Sequence, residues 1–589
     1  MPENMFNFQV TRRTALGLAL SGSLTAILAA CSSTDNSSQP TTGAPPTGGT
    51  GGSTSSGSAS SASTPSNPPS SSGGTHSKDI KIAITSFGNQ TLDPATQDGT
   101  SVDTFIIPLY DSLVEIDDTG KIAPGLAQSW SMSDDKTVWT FKLRADAEFH
   151  NGNGILTAAD AKFSLERMMN DKTTASVGGL LQSMIKSVDA PDATTLVITT
   201  NGVQQTLVNE FTPSEGGGLV LPMKYLTDKA GTDFDAQSNL LTTAPIGSGP
   251  FQFDSMDAGQ SITFKAVPKH WRNTPQIASV QFLNIPDAST QLSMLQSAQA
   301  DVIQAAPDSA KQITGAGMEV RQIKGAQDVG MMFNGTWRPV AATKPTSKAD
   351  VRHALSLAID RQTLIDTIID GYATLPTMPY ATSEATAEMD PKTMAPLMQE
   401  YNEYNPDKAK TLLAQAGYPN GFDTGFQIYS FARSTTPFAP SLIEAIVAQW
   451  AAIGVTAKIV PVDYTTWRPH FLNAPDNDPY NAADAAVYGI TPRLDPGSML
   501  VDEYSSYGKS AQLAGTALDP LIKKIQGETD VATRTADVTT AMTNVKDLWV
   551  TLPLFTGDVL FGVNPQTVGQ WKTQQGFGFL GRIVETIQA

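Results

Sequence analysis

A mixed α/β fold with more than one domain is predicted by three features of the sequence. The chain has 589 residues, 40% of them hydrophobic, and a single hydrophobic core stops growing at roughly 250–300 residues. Its 8 Trp, 23 Phe and 13 Tyr supply apolar surface that a fully disordered chain lacks. From residue 78 onward, strand-like and helix-like patterns follow each other irregularly, which is typical of mixed α/β proteins.

The strands of this region are predicted from alternating or β-branched and aromatic runs. The first run opens the folded part of the chain, and two more follow within its first half. The predicted strands cover 80–84, 137–143 and 195–199.

The helices are predicted from their ends. Capping boxes at 157–160 and 347–350 precede two helices, because a Ser or Thr followed three residues later by an acid satisfies the first free amides. Asn405-Pro406-Asp407 predicts a third helix start, and Gly417 its end. The helix after 350 places apolar residues on one face: Val351, Ala354, Leu355, Ala358 and Ile359.

Composition excludes several classes of protein. The single cysteine, Cys31, excludes a disulfide scaffold and sites with several cysteine ligands. The net charge of −18 argues against a nucleic-acid binder. Five scattered histidines and the absence of His-Glu-x-x-His, Gly-x-Ser-x-Gly and Walker sequences leave no recognised hydrolase or nucleotide motif. No cofactor and no metal site are therefore expected.

The first thirty residues predict export rather than a fold. Arg12-Arg13 precede an apolar run that ends Leu28-Ala29-Ala30-Cys31, which is typical of a signal peptide. The last four residues resemble the lipobox of bacterial lipoproteins, and the arginine pair resembles a twin-arginine signal. The resemblance implies cleavage before Cys31 and lipidation of its thiol. The alternative is a free thiol in an ordinary signal peptide.

A low-complexity segment follows the predicted lipidation site. Among the 46 residues of 32–77 are 16 Ser, 8 Thr, 8 Gly and 6 Pro, with no Leu, Ile, Val or aromatic residue. Such a segment cannot bury apolar surface and is predicted to be a disordered tether. Together, Cys31 and this tether predict a folded body held at a membrane surface by a lipid.

Twelve segments of the folded part resemble the family-5 solute-binding proteins of bacterial ABC importers, the dipeptide, oligopeptide and nickel-binding group. Their order and spacing over nearly all of 78–589 carry the resemblance. The segments are 92–94, 109–115, 124–130, 140–144, 149–152, 156–164, 166–167, 245–251, 350–355, 358–361, 416–418 and 450–455.

The resemblance implies a type II, cluster C-like periplasmic-binding-protein fold, with two α/β lobes, a hinge and an extra subdomain. The first lobe is expected at 78–328 and 553–589, with the subdomain at about 112–212. The second lobe is expected at 329–552. A solute would be enclosed between the lobes.

Most residues of these segments are interpreted as structural. Arg144 and Arg167 are expected to pair with Asp160 or Glu166 on exposed faces, and His353 to lie at the surface or in packing. Gly247 and Gly249 are expected to permit a turn. Five aromatic residues are expected to form the subdomain core: Trp130, Trp139, Phe141, Phe149 and Phe163.

The predicted solute site departs from the family pattern. In peptide-binding members an aspartate shortly before an Asp-Pro pair holds the ligand's α-ammonium. Here Asp495-Pro496 is present, but Pro492 or Arg493 stands at the upstream position, and Tyr488, Gly489 or Ile490 replaces the family's tryptophan.

Arginine at that position would favour a carboxylate or another anion. Alternatively, Asp98 or Asp495 holds an amine from another direction. The four predicted ligand-binding residues are therefore Asp98, Tyr488, Arg493 and Asp495. The alternatives are a solvated loop position for Arg493 and simple packing for Tyr488.

The resemblance implies a non-enzymatic monomer that captures a solute, a short peptide in the first instance, and delivers it to an ABC permease and its ATPase. It would act on the outer face of the cytoplasmic membrane, in the periplasm or cell wall zone. A non-peptide solute such as an oligosaccharide, an opine-like compound or a metal chelate is the alternative within this class. A secreted lipoprotein hydrolase is the alternative from another class.

Overall fold

The computed structural model describes residues 78–589 apart from 98, 100–101, 381–388, 390, 424–425, 434–435, 474–477, 479, 481, 494, 509–512, 574–577, 579 and 589. The predicted signal peptide and tether, with Cys31, lie outside the described residues, as does Asp98. Predictions that concern them remain predictions.

Seventeen strands in the described part of the chain form sheets of eleven, four and two strands. They are β1 (Asp79–Ile84), β2 (Val114–Ile116), β3 (Ile122–Pro124), β4 (Ala127–Met132), β5 (Val138–Leu143), β6 (Ile185–Asp192), β7 (Thr195–Thr200), β8 (Phe251–Asp257), β9 (Ser261–Ala266), β10 (Ser279–Asn284), β11 (Val302–Ala305), β12 (Glu319–Asn334), β13 (Ala373–Thr374), β14 (Gln427–Ser430), β15 (Lys458–Pro461), β16 (Asp484–Ile490) and β17 (Thr551–Val563).

The helices of six or more residues flank these sheets. They are α1 (Ala158–Met168), α2 (Ser176–Met184), α3 (Met223–Ala230), α4 (Phe234–Thr243), α5 (Ala288–Gln296), α6 (Ala310–Gly315), α7 (Ala349–Leu357), α8 (Arg361–Thr367), α9 (Pro391–Asn402), α10 (Pro406–Gln415), α11 (Ala439–Ala451), α12 (Tyr464–Asn473), α13 (Pro496–Tyr504), α14 (Asp519–Gly527), α15 (Val531–Leu548) and α16 (Leu580–Thr586).

Two long strands, β12 and β17, join the halves of the eleven-stranded sheet. The strand order is β15-β14-β16-β12-β17-β11-β1-β10-β9-β8, with β13 beside β17. We call the segments before β12 and after β17 the first lobe, and the segment between these strands the second lobe. The predicted two-lobed α/β fold is confirmed. Both strands continue through the predicted boundaries at 328/329 and 552/553, although their pairing is irregular between Val329 and Gly330. The boundaries remain predictions.

The two crossing strands lose their regular pairing at two points, and the second lies between Val329 and Gly330. They pair antiparallel on both sides of an irregularity between Ile323 and Gln327. There Gly325 has a φ of 60°, which glycine adopts without strain, and its amide donates to Asp558 Oδ1 at 3.0 Å. Burial raises the pKa of the Asp558 carboxyl. The first of the two irregularities in the connection between the lobes is therefore a bulge that this hydrogen bond holds in place.

The first lobe is built around β1, which pairs parallel with β10 and β11. The predicted strand at 80–84 is thus confirmed. On one face Phe105 meets Phe87 and Phe282 edge to face, with ring centroids 5.1 and 5.3 Å apart. The C-terminal helix α16 packs into the same core, so the first lobe contains residues from both ends of the folded chain.

The four-stranded sheet, β4-β5-β7-β6, contains both other predicted strands. Three of the predicted core aromatics, Trp139, Phe141 and Phe149, are fully or almost fully buried; Trp130 and Phe163 are partly buried against the cores. The capping box ahead of α1 is also confirmed.

In the second lobe the helix predictions have mixed outcomes. The predicted face of α7 is buried, and Asn405 Oδ1 caps α10 by accepting the Lys408 amide at 3.0 Å. The capping box at 347–350 is wrong. Ser347 lies in a 3₁₀ turn, where its hydroxyl donates to the Lys344 carbonyl at 2.8 Å, so Lys348 takes the cap position without a side-chain bond.

The family-like segments hold distant parts of the first lobe together. Arg167 is not on an exposed face; its guanidinium is buried and donates to both oxygens of Asp93 at 2.7 Å. Arg144 pairs with Asp146 instead of the predicted acids and covers the ring of Trp271. The prediction of exposed pairing was therefore wrong for Arg167, and the predicted partners were wrong for both arginines.

Hydrogen bonds of the His150 ring join the segment 149–152 to the segment 245–251. His150 Nε2 lies 2.8 Å from the Gly249 carbonyl oxygen, and its Nδ1 accepts the Gly247 amide at 3.2 Å. A Cβ on Gly247 would lie 1.9 Å from the Leu109 carbonyl oxygen. Glycine is therefore required by a close backbone approach. The prediction of a structural role is confirmed.

Among the described helices, none combines the length and the apolar character that a membrane span requires.

Candidate functional site

The predicted site residues of the second lobe lie close together in sequence but differ in their contacts. Tyr488 is on β16, which pairs with β12 on one side and β14 on the other. Asp495 precedes α13, and Arg493 lies two residues before it. Their contacts decide which of them face the space between the lobes.

Tyr488 and its neighbour Tyr464 stack on each other and contact the guanidinium of Arg433. The guanidinium carbon of Arg433 lies 4.5 Å from the Tyr488 ring centroid and 4.8 Å from that of Tyr464. Arg433 Nη1 also donates to the Gly489 carbonyl at 2.7 Å. Two rings and one hydrogen bond therefore hold this guanidinium in place. We call Arg433, Tyr464 and Tyr488 together the Arg433 shelf.

The shelf packs against further aromatic residues and carries two tyrosine hydroxyls. The two tyrosine hydroxyl oxygens lie 3.1 Å apart. Burial raises the pKa of Tyr464, although the nearby Arg433 charge acts in the opposite direction. Tyr464 therefore stays protonated at neutral pH. The rings that pack behind the shelf belong to Phe431, Trp467 and Phe471.

Arg433 faces the first lobe. A Cβ placed on Gly99 would lie 3.8 Å from Arg433 Nη2. Gly99 adjoins the predicted site residue Asp98 in sequence. The Arg433 shelf is thus on the cleft side of the second lobe.

Arg493 is neither solvated nor directed at open space. Its Nη1 is paired with Glu215 of the first lobe, and its Nη2 lies 3.3 Å from Asp502 of α13. Burial alone would lower the pKa of Arg493, but the charges of Glu215, Asp502, Glu503 and Glu210 outweigh burial and raise it. The arginine stays charged and bridges the two lobes.

Asp495 is engaged in the local structure of the second lobe. Its Oδ2 accepts the Ser498 amide at 2.5 Å, which caps α13, and its Oδ1 lies 2.9 Å from Arg534 Nη2. Both oxygens of Asp495 are therefore used in contacts within the second lobe.

The lobes meet at a second point beyond the Arg493 contact. Gln205 Nε2, in the first lobe, donates to the Glu528 carbonyl at 2.8 Å. The cleft is therefore closed in this structure. The Arg433 shelf and the ion pairs of Arg493 with Glu215 and Asp502 lie where the second lobe faces the first.

In the described ranges, no three His, Cys, Asp or Glu side chains are placed so that they could hold a metal ion together.

Sequence reasoning did not find Arg433, Tyr464 or Glu215. Arg433 carries a weak signal, since it is a lone charge just after the apolar strand β14. Glu215 carries none, because its partner Arg493 is 278 residues away.

Comparison with known proteins identifies the group to which this two-lobed chain belongs. A sequence model described as bacterial extracellular solute-binding proteins, family 5 Middle, matches residues 121–511. The chain belongs to family 5 of these proteins. It is therefore a solute-binding protein of an ABC importer, as the sequence predicted.

Relatives within the family bind different solutes. Heme-binding protein A of Haemophilus influenzae is 28% identical over 396 residues, which cover 63% of this chain and 68% of the relative. The dipeptide-binding protein of Escherichia coli K12 is 28% identical over 401 residues, which cover 64% and 70%.

Solved structures of the family share the two-lobed fold. The protein AgaA of A. tumefaciens R10, in complex with agropinic acid, is 25% identical with a TM-score of 0.71 and covers 87% of this chain and 99% of its own. The periplasmic binding protein DppA of Helicobacter pylori, in complex with the peptide STSA, is 23% identical with a TM-score of 0.71 and covers 86% and 98%. At 23% identity, the similarity to DppA concerns the fold alone.

Proposed function

We propose that this family-5 protein captures a short peptide in the closed cleft and delivers it to an ABC permease. The observation that carries the proposal is the Arg433 shelf, a guanidinium that lies over two adjacent tyrosine rings on the cleft side of the second lobe. The dipeptide-binding relative in Escherichia coli supports the choice of solute.

The shelf suits a solute with a carboxylate. A guanidinium presents donors in a planar fork that matches a carboxylate, and stacking on two rings removes most of its freedom before the solute arrives. Arg433 Nη1 donates to the Gly489 carbonyl, and Nη2 lies on the side of the guanidinium that is near Gly99 of the first lobe. A carboxylate paired with this guanidinium would therefore lie between the lobes.

The aromatic rings suit the remainder of a peptide. Tyr464 and Tyr488 offer apolar faces with polar hydroxyls at their edges, which is the combination that accepts varied side chains. Of the four residues predicted from the sequence, Tyr488 fits direct solute contact in this proposal, and Asp98 lies outside the described residues. Arg493 and Asp495 are occupied by other charged groups of the chain.

An opine-like compound is the second candidate solute. The relative that is 25% identical was solved with agropinic acid, and an organic acid of this kind would use the same carboxylate contact at Arg433. Both candidates therefore place an anionic group on the shelf.

Binding assays with an Arg433 variant test this contact. Met-Leu, its C-terminal amide and agropinic acid are titrated by calorimetry into the native protein and Arg433→Ala. For the free acids, the substitution should weaken binding by more than ~2 kcal/mol, because a desolvated carboxylate loses its partner. The amide should bind both proteins with similar affinity.

The matched control is Arg144→Ala, which removes an arginine that also stacks on an aromatic ring but belongs to the first lobe. It should leave every affinity unchanged. If the Arg433 and Arg144 variants bind the free acids as tightly as the native protein does, Arg433 makes no solute contact and the proposed site is wrong.

We also propose that the protein is held at the outer face of the membrane by a lipid on Cys31. The lipobox-like sequence 28–31 and the Ser/Thr-rich segment behind it support this anchor. Cys31→Ser should release the exported protein from the membrane fraction with its melting temperature unchanged. A variant that remains in the membrane pellet contradicts the anchor.

A further inference from the structure

Arg493 is surrounded by carboxylates that come from both lobes. We call Glu210, Glu215, Asp502 and Glu503 the carboxylate cage. Glu215 and Asp502 pair with the guanidinium directly, and the charges of the two others help to keep it protonated. Glu210, Asp502 and Glu503 are no more than 3% exposed.

The cage forms only where the lobes meet. Glu210 lies in the 3₁₀ turn Leu207–Phe211 of the first lobe, and Glu215 is in the loop that follows. Asp502 and Glu503 lie near the end of α13 in the second lobe. Opening the cleft would take Glu215 away from Arg493, so the pairing depends on closure.

Carboxylates brought together away from water repel one another and require a cation among them. A guanidinium suits this place because it stays charged and offers five donors in a plane. We propose that Arg493 acts as a built-in cation, which fills a carboxylate-lined subsite of the cleft and ties the two lobes together.

The proposal has a consequence for specificity that rests on the proposed solute-binding function. A solute that carries an ammonium group cannot place it in the cage, because Arg493 already holds the carboxylates and would repel a second cation. Solutes whose group nearest the carboxylate cage is neutral or anionic are therefore favoured.

Chemical rescue tests the cage as a cation site. Arg493→Ala removes the guanidinium, and methylguanidinium chloride supplies the same group from solution. The melting temperature of the variant should rise saturably with methylguanidinium, with the unfolding equilibrium constant reduced about elevenfold at ten times Kd. The native protein should show no saturable rise, and sodium chloride at equal ionic strength should not reproduce the effect.

A second variant tests the tie between the lobes and does not depend on the folding of the first. Glu215→Gln replaces one oxygen by nitrogen and removes the charge that the first lobe presents to Arg493. Without solute, small-angle X-ray scattering should show a larger radius of gyration for this variant than for the native protein. Lys311→Ala is the control, since Lys311 forms an exposed ion pair with Asp370 that also joins the lobes.

Two results would overturn the proposal: the absence of saturable methylguanidinium binding in a folded Arg493→Ala protein, or equal radii of gyration for the native, Glu215→Gln and Lys311→Ala proteins. If Arg493→Ala does not fold, the scattering result decides. Both measurements are made without solute, so a failure of the peptide-binding proposal would leave them unchanged and would appear only in the calorimetry.

Discussion

The buried pair between Asp93 and Arg167 is expected to be a major contributor to the stability of the first lobe. Both carboxylate oxygens accept from the guanidinium at 2.7 Å, and the two side chains are 0% and 4% exposed. Arg167 Nε also donates to Gln237 at 3.2 Å, and the guanidinium covers the Phe234 ring. The arginine therefore has no route to water if its carboxylate is neutralised.

Asp93→Asn keeps the shape of the side chain but removes its charge. Breaking a buried ion pair by removing one partner costs roughly 3–5 kcal/mol, because the other charge stays buried and uncompensated. Asp93→Glu keeps the charge but lengthens the side chain by one methylene, so its effect should be intermediate. Urea denaturation followed by tryptophan fluorescence at pH 7 measures each loss of stability.

The matched control is Asp235→Asn, which breaks the pair between Asp235 and Lys172. These side chains are 66% and 53% exposed, and exposed pairs contribute roughly 0–1 kcal/mol. If Asp93→Asn lowers the free energy of unfolding no more than Asp235→Asn does, the buried pair does not have the role assigned to it.

Three further stability predictions follow from single contacts. Burial lowers the pKa of His150 to about 4, whereas an unfolded histidine titrates near 6.5. About 3 kcal/mol of stability that is present above pH 6.5 should therefore be lost as the pH falls from 6.5 through 4. If the stability of the native protein and that of His150→Gln fall equally steeply below pH 6.5, this prediction is wrong. Gly247→Ala should lower the melting temperature markedly because its Cβ would clash with the Leu109 carbonyl oxygen, and an unchanged melting temperature would refute the close approach. Asn405→Ala should cost about 1 kcal/mol through loss of the α10 cap, whereas Asn405→Gly should cost only a few tenths.

Local features of the fold were predictable from the sequence where the determining residues are neighbours. Asn405 and Pro406 mark the start of α10 correctly because capping is decided within four residues. Ser347 misled the same reasoning, because the preceding Pro345 begins a 3₁₀ turn that uses the serine hydroxyl for its own carbonyl bond.

The candidate site depends on long-range pairing, which a single sequence does not reveal. Arg493 was predicted as a ligand-binding residue, and its partner Glu215 was not anticipated, because Glu215 comes from the other lobe and has no motif around it. Arg433 was overlooked, because its importance arises from Tyr464 and Tyr488, which approach it only in the folded second lobe. Charge pairs that cross a cleft require the tertiary structure.

Native mass spectrometry tests the central claim, capture of a small solute between the lobes, most directly. Protein released from membranes without unfolding should carry one solute of peptide size per chain, and denaturation should release it intact. A chain that carries no adduct, and that instead yields cleavage products when incubated with a peptide library, would contradict the solute-binding account.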